Sequence, residues 1–136
     1  MTEADCFLTI AELGERYGSA ATTPTAITEL HLQRLGRIDP ILNAMQIVDI
    51  DGALAAAEAS DQRWRSGKPL GPLDGVTVTI KDNVDVAGFP TRHGSLTTSD
   101  TPALHDSPVV ARLREAGAVI LGKTRLPEFG WKGLTD

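Results

Sequence analysis

Apolar residues recur at helical spacing three times before the character of the chain changes. Ile10, Leu13 and Tyr17 fall on one side of a turn that Thr9 and Glu12 can cap reciprocally, and Gly18-Ser19 stops the pattern, so a first helix is predicted over about residues 9–17. In TTPTAITELHLQRLGRIDP, Thr23 is a cap with Pro24 at the first helical position. Ile27, Leu30, Leu35 and Ile38 share one face there, and Asp39-Pro40 is predicted to end this second helix. Ala44 to Val48 reads as a short strand. The alanine-rich stretch from about Asp51 to Arg65 has high helix propensity and closes at Gly67, with Pro69 just beyond.

The period then switches from helical to strand-like. Gly71, Pro72, Asp74 and Gly75 are turn residues leading into Val76 to Ile80, every one of them β-branched. Residues 85–106, rich in Gly, Pro, Ser, Thr and Asp, predict an irregular excursion with a short strand near Val86. A loop of that length in a compact domain is often functional. Ser107-Pro108 opens a helix with Val109, Val110, Leu113 and Ala116 on its buried side; Gly117 ends it, and Ala118 to Leu121 make a second buried strand. Strand, helical crossover and strand form a βαβ unit, for which a parallel pair is expected. The fold class is therefore α/β, with residues 1–70 mainly helical and residues 71–136 a βαβ segment. The closing GLTD carries no recognisable element, and no repeat or low-complexity tract occurs.

At 136 residues the chain is sized for one core. Its 41% hydrophobic and 23% charged content is ordinary for a folded protein. A formal charge of -5, with no basic cluster, provides no field for a phosphate backbone, so nucleic acid is not an expected ligand. The apolar runs fall far short of the roughly 20 residues needed to span a bilayer. The opening MTEADCF has acids where a secretory signal carries basic residues, so no membrane association and a cytoplasmic location are expected. Cys6, the single cysteine, has neither a disulfide partner nor metal-ligand spacing around it.

Several patterns invite a chemical reading. GAVILGKT, residues 117–124, satisfies the letters of a phosphate-binding loop, yet its intervening residues are those of a buried strand and its first glycine ends a helix. Nucleotide binding is disfavoured on that ground. His31, His93 and His105 show no ligand spacing, so no metal is expected, and nothing calls for a cofactor. No Gly-x-Ser-x-Gly elbow occurs, and Ser95, between Gly94 and Leu96, reads as a turn residue.

Lys81 differs by its place at the end of an apolar strand. Strand alternation sends Thr77, Thr79 and Lys81 to one face and Val76, Val78, Ile80 and Asp82 to the other. Asp82, although adjacent, need not pair with Lys81. Lysines ordinarily titrate near about 10.4, so a lysine base needs desolvation or nearby positive charge, and burial at a strand end is one source. On position alone a strand-end lysine more commonly snorkels to solvent, so the surrounding pattern has to decide.

That pattern is GPLDGVTVTIKDNVDVAGFPTRHGS followed by DSPVVARLREAGAVILGKTRLPEFG, which closely resembles the N-terminal half of the amidase-signature family. IDPILNAM upstream is similar to it too, so the resemblance runs from about Ile10 onward. It implies a mixed-sheet α/β fold and amide hydrolysis by a Ser-Ser-Lys triad in which Lys81 matches the family lysine. The lysine acts through a bridging serine on a nucleophilic serine. The two family serines lie C-terminal to the equivalent of GLTD, so the chain is expected to be the N-terminal part of one domain, inactive alone by this mechanism. Arg125 stands where the family commonly has Asn, and TRHGS has bulkier residues than usual; Arg92, His93 and Arg125 bear on the substrate, not the reaction. The expected partner is a small linear amide, with substrate-binding residues unassigned. The alternative is a non-catalytic partner-binding module or a component of an amidotransferase. Exposed sheet edges and apolar patches are expected, with homo-oligomerisation or edge pairing to cover them.

Overall fold

The computed structural model describes residues 2–133; Met1 and Leu134 to Asp136, within the closing GLTD segment, lie outside the described residues. A 3-10 turn, Glu3–Phe7, precedes helix α1, Ile10–Gly18. The predicted capping box is formed: the Glu12 amide donates to Thr9 Oγ1 (3.2 Å), and the Glu12 carboxylate accepts from the Thr9 amide (2.7 Å).

Helix α2, Pro24–Leu42, starts at the predicted Thr23 cap but runs past Asp39-Pro40, correcting the expected end. Proline removes the bond from its own nitrogen to the carbonyl four residues back, which is that of Gly36. Both residues are exposed or half-buried and lie in the last turns, so little is lost. The stop comes instead from Asn43, left-handed at φ 51°, while the Asp39 carboxylate accepts from the amides of Ala44 (2.8 Å) and Met45 (2.9 Å). IDPILNAM is thus a helix terminator that aims the chain into strand β1, Met45–Val48. Helix α3, Ile50–Arg65, follows at once, capped by Asp49 Oδ1 on the Gly52 amide (3.0 Å).

The turn GPLDG is locked from inside. Asp74 is fully buried and accepts from Arg63 Nε (2.9 Å), an Arg63 terminal nitrogen (2.6 Å), Ser60 Oγ (2.7 Å) and the Leu70 amide (2.9 Å). Burial alone would raise its carboxyl; the bonds from Arg63, Ser60 and Leu70, with the charge of Arg63, outweigh that and hold it below the ordinary carboxylate range. Gly117 has φ 82°, and a Cβ there would meet Asp74 Oδ1 at 2.5 Å, so the glycine that ends the next helix also makes room for this carboxylate.

Strand β2 is Thr77–Lys81, one residue later than predicted, and helix α4 is Pro108–Glu115. Val110 is fully buried on α4, whereas Val109, predicted buried, is exposed: the first-turn neighbour faces away from the sheet. The loop between them carries one parallel bridge, Ala87 to Ala103, in place of a strand near Val86. Strand β3, Val119–Thr124, pairs in parallel with β2 and antiparallel with β1, giving the order β1-β3-β2. The βαβ plan and its parallel pair are as predicted, and the whole is a mixed α/β fold.

β3 runs three residues further than expected, and the cause is a bulge. Val78 pairs with Ile120, but Ile80 pairs with Lys123, so β3 carries one extra residue at Leu121-Gly122. Gly122, at φ 143°, permits it: a Cβ there would lie 2.0 Å from the Ile47 carbonyl oxygen. Two layers pack on the sheet. Val119 and Leu121 meet Ala53 and Ala57 of α3, with Leu32 and Leu35 of α2. On the other face Ile80 and Ile120 meet Val110 of α4 and Val86 of the loop. Leu96, Leu104, Ile41 and Trp131 remain exposed, and β1 and β2 form the sheet's edges among the described residues. No helix among those residues is long and apolar enough to cross a membrane.

Candidate active site

Both parallel strands deliver their last residues, Lys81 and Thr124, to the same end of the sheet, where they are partners in register. Crevices at the carboxyl ends of parallel strands are habitual ligand sites, because side chains there converge without closing the backbone ladder. A cleft of about 550 Å³ opens at this end, lined by Asp82, Arg92, Ser95, Thr124 and Arg125 together with Asn43 at the α2 terminus. The side chain of Lys81 is not part of its lining; its register partner and its chain neighbour are.

The predicted alternation of β2 holds. Ile80 and Asp82 are buried, and Thr79 and Lys81 are exposed on the opposite face. Among the described residues no hydrogen bond or ion pair engages the Lys81 ammonium. Burial at the strand end, the expected source of desolvation, is not supplied by residues 2–133.

Asp82 does not pair with Lys81; it pairs with Lys123. Lys123 is fully buried, its Nζ 2.7 Å from Asp82 Oδ1 and donating to the Pro90 carbonyl (2.8 Å) and Thr91 Oγ1 (2.9 Å). The Oδ1 contact is an ion pair without the alignment of a hydrogen bond. Asp82 Oδ2 accepts from the Arg92 amide (3.2 Å), its carbonyl accepts from the His93 amide (3.0 Å), and its own amide donates to the Thr124 carbonyl (3.0 Å). One buried pair therefore ties the end of β2 to β3 and to the loop at 90–93. Sequence reasoning missed Lys123 because unbroken alternation from Val119 and Leu121 would put it on the helical face. The bulge re-aims it. The available signal was an acid at the end of one strand and a lysine at the end of its parallel neighbour.

GKT is thus strand, not phosphate loop, and Lys123 has no free ammonium to offer a nucleotide. The loop is fixed to the turn after β3. Ser95 closes the turn at 92–95, its amide donating to the Arg92 carbonyl (2.9 Å) and its buried hydroxyl to Glu128 Oε1 (2.6 Å). A Cβ on Gly94 (φ 65°) would lie 2.3 Å from the Leu126 carbonyl oxygen. The His93 ring stacks on Phe129 with centroids 5.9 Å apart, and Arg92 pairs with Asp100. Arg125 Nε donates to the Met45 carbonyl (3.0 Å).

His31 is half-buried with Nδ1 2.7 Å from Thr77 Oγ1; burial pushes its imidazole below the ordinary value, against a bond the ring donates to the backbone of Cys6, which raises it. His93 and His105 line a separate cleft of about 440 Å³ with Asp85. No group of three or more metal-binding side chains occurs among the described residues.

The family model described as Amidase matches residues 26–136, most of the chain. The chain belongs to the amidase family, the amidase-signature family. It is 40% identical over 136 residues to one of the subunits of the glutamyl-tRNA(Gln) amidotransferase from Salinispora tropica, a match that covers all of this chain and 28% of that protein. It is 43% identical over 119 residues to an indoleacetamide hydrolase from Bradyrhizobium diazoefficiens, covering 87% of this chain and 22% of that protein. The native peptide amidase from Stenotrophomonas maltophilia superposes with a TM-score of 0.84 at 36% identity, covering 90% of this chain and 26% of that one. The chain spans about a quarter of the length of these relatives.

Proposed function

We propose that this protein hydrolyses linear amide C–N bonds by acyl transfer, with Lys81 as general base of a Ser-Ser-Lys relay. The observation that carries the reading is the place of Lys81: at the carboxyl end of a parallel strand pair, its ammonium unengaged by any described residue. In this scheme neutral Lys81 draws a proton through a bridging serine from the nucleophilic serine, whose Oγ attacks the amide carbonyl. The C–N bond breaks as the proton passes to the leaving amine, and water then cleaves the acyl ester to a carboxylic acid. Both serines come from outside residues 1–136, and the same outside segment supplies the desolvation that Lys81 lacks here. Membership of the amidase family supports the reaction class.

The test is amide turnover by the complete-length protein with Lys81→Ala, over a panel of primary amides that includes glutamine, a peptide amide and indoleacetamide. A loss of at least about a hundredfold in kcat, as expected for removal of a general base, supports the assignment. Turnover within a few-fold of the parent would sink it. A second reading, a component of an amidotransferase, is favoured by the 40% identity across the full chain to a protein of that name. Glutamine preferred over the other amides, with turnover raised by a partner protein, would select it. The exposed edges of β1 and β2 and the exposed Leu96 and Trp131 are consistent with pairing against further protein surface, including a second copy.

A further inference from the structure

Lys123 has no part in the Ser-Ser-Lys relay, yet it is a fully buried cation whose Nζ lies 2.7 Å from the carboxylate of the residue that follows Lys81. Lysine is rarely buried without a charge to answer, so its purpose lies in Asp82. Asp82 is needed where it is: its carboxylate and backbone hold the 92–93 amides and the β3 end together. Its charge is a different matter. A carboxylate next along the chain to Lys81, left without a counter-charge, attracts a cation at that position and so works against the use of Lys81 as a base.

We propose that Lys123 is a positioning and charge-cancelling residue for Lys81: by pairing with Asp82 it retains the carboxylate's hydrogen bonds while removing its hold on the Lys81 proton. This rests on the reading of Lys81 as a base. The other charged groups near this end are already answered or directed elsewhere. Arg92 pairs with Asp100, Glu128 accepts from Ser95, and Arg125 is anchored on the Met45 carbonyl. His93 stacks on Phe129, and Asp85 lines the separate cleft with His93 and His105. The pair Asp82–Lys123 is the one whose two members, removed singly, leave opposite net charges on the far side of the same strand end.

That opposition supplies the test, and it does not need turnover. Lys81 is exposed in this chain, so its acylation by a small amine-directed reagent, followed across pH by peptide mass spectrometry, reports when its amine becomes reactive. Lys123→Met leaves Asp82 uncompensated, and the midpoint of Lys81 labelling is expected to move up by about half a pH unit. Asp82→Asn leaves Lys123 uncompensated, and the midpoint is expected to move down by a similar amount. The double variant and Lys123→Arg are expected to return to the parent midpoint. A purely structural role moves both single variants the same way or neither. Midpoints that shift in one direction in both, or that coincide with the parent in both, overturn the proposal. Asp82→Asn is isosteric and keeps an acceptor for the Arg92 amide, so its sign alone decides if circular dichroism finds Lys123→Met unfolded. Because labelling is independent of catalysis, these results stand apart from the Lys81→Ala turnover test: the base reading can fail there while the charge relation survives here, and the reverse.

Discussion

Removing Arg63 is expected to cost more than the loss of a surface ion pair, because of what it leaves behind. Asp74 is fully buried, whereas the Arg63 side chain keeps 28% of its surface in water. In Arg63→Ala the carboxylate remains inside with two donors, Ser60 Oγ and the Leu70 amide, where it had four bonds. Breaking a buried pair from one side costs roughly 3–5 kcal/mol, and the partial exposure of Arg63 and the surviving donors place the effect near the lower end, about 3 kcal/mol at pH 7. Exposed pairs typically give under about 1 kcal/mol. The pH dependence separates the two cases. In the parent, Asp74 lies below its ordinary 3.8, so its contribution is present above that value and is lost as pH falls through the folded value. In Arg63→Ala the largest remaining influence is burial, which raises the carboxyl against the surviving bonds from Ser60 and the Leu70 amide. Its penalty is then fully felt at neutral pH and relieved as pH falls and Asp74 takes a proton. Urea unfolding followed by circular dichroism at pH 7 and pH 4 is therefore expected to give a gap between parent and variant that narrows at the lower pH. A cost below about 1 kcal/mol at pH 7, or a gap unchanged at pH 4, would refute the account of Asp74 as a buried anion held by Arg63.

Two further outcomes are expected. Gly122→Ala forces a Cβ against the Ile47 carbonyl and a side chain onto φ 143°, so β1 must separate from β3; a loss of at least about 2 kcal/mol in unfolding free energy is predicted, and a change within about 0.5 kcal/mol would mean the bulge is not as described. Mg-ATP at millimolar concentration is expected to leave the melting temperature unchanged, since Lys123 is committed to Asp82, Pro90 and Thr91; a saturable rise would reinstate the phosphate-loop reading of residues 117–124.

The elements most legible in the sequence are those whose stabilising contacts are local. The Thr9/Glu12 box, the Thr23-Pro24 start and the alanine-rich helix that ends at Arg65 depend on neighbours within a few residues, and the β-branched run before Lys81 specifies its own strand. What was not legible depends on partners further away. Pro40 stays in helix α2 because Asp39 and Asn43 terminate it only after Leu42. Asp74 reads as a turn residue until Arg63 and Ser60 arrive from α3. Lys123 is hidden most thoroughly, since its burial needs a bulge in its own strand, a carboxylate from the end of another strand and two acceptors from a loop. For Lys81 the strand, the facing and the separation from Asp82 were all readable, and its exposure is the solvent-facing reading that position alone favoured; burial at the strand end, the condition a base requires, depends on what else covers this end of the sheet.

The bulge at Gly122 works as a phase shift in the strand's alternation, and phase can be altered without touching a motif. Were residues 119–123 to run without the bulge, Lys123 would follow Val119 and Leu121 toward Ala53 and Ala57 and leave the Asp82 carboxylate buried without its cation, while GKT and KDN remained intact as written. Two chains with the same short motifs can therefore differ in whether the carboxylate beside the lysine is neutralised. The bulge at Leu121-Gly122, more than the letters around it, sets which state a chain is in.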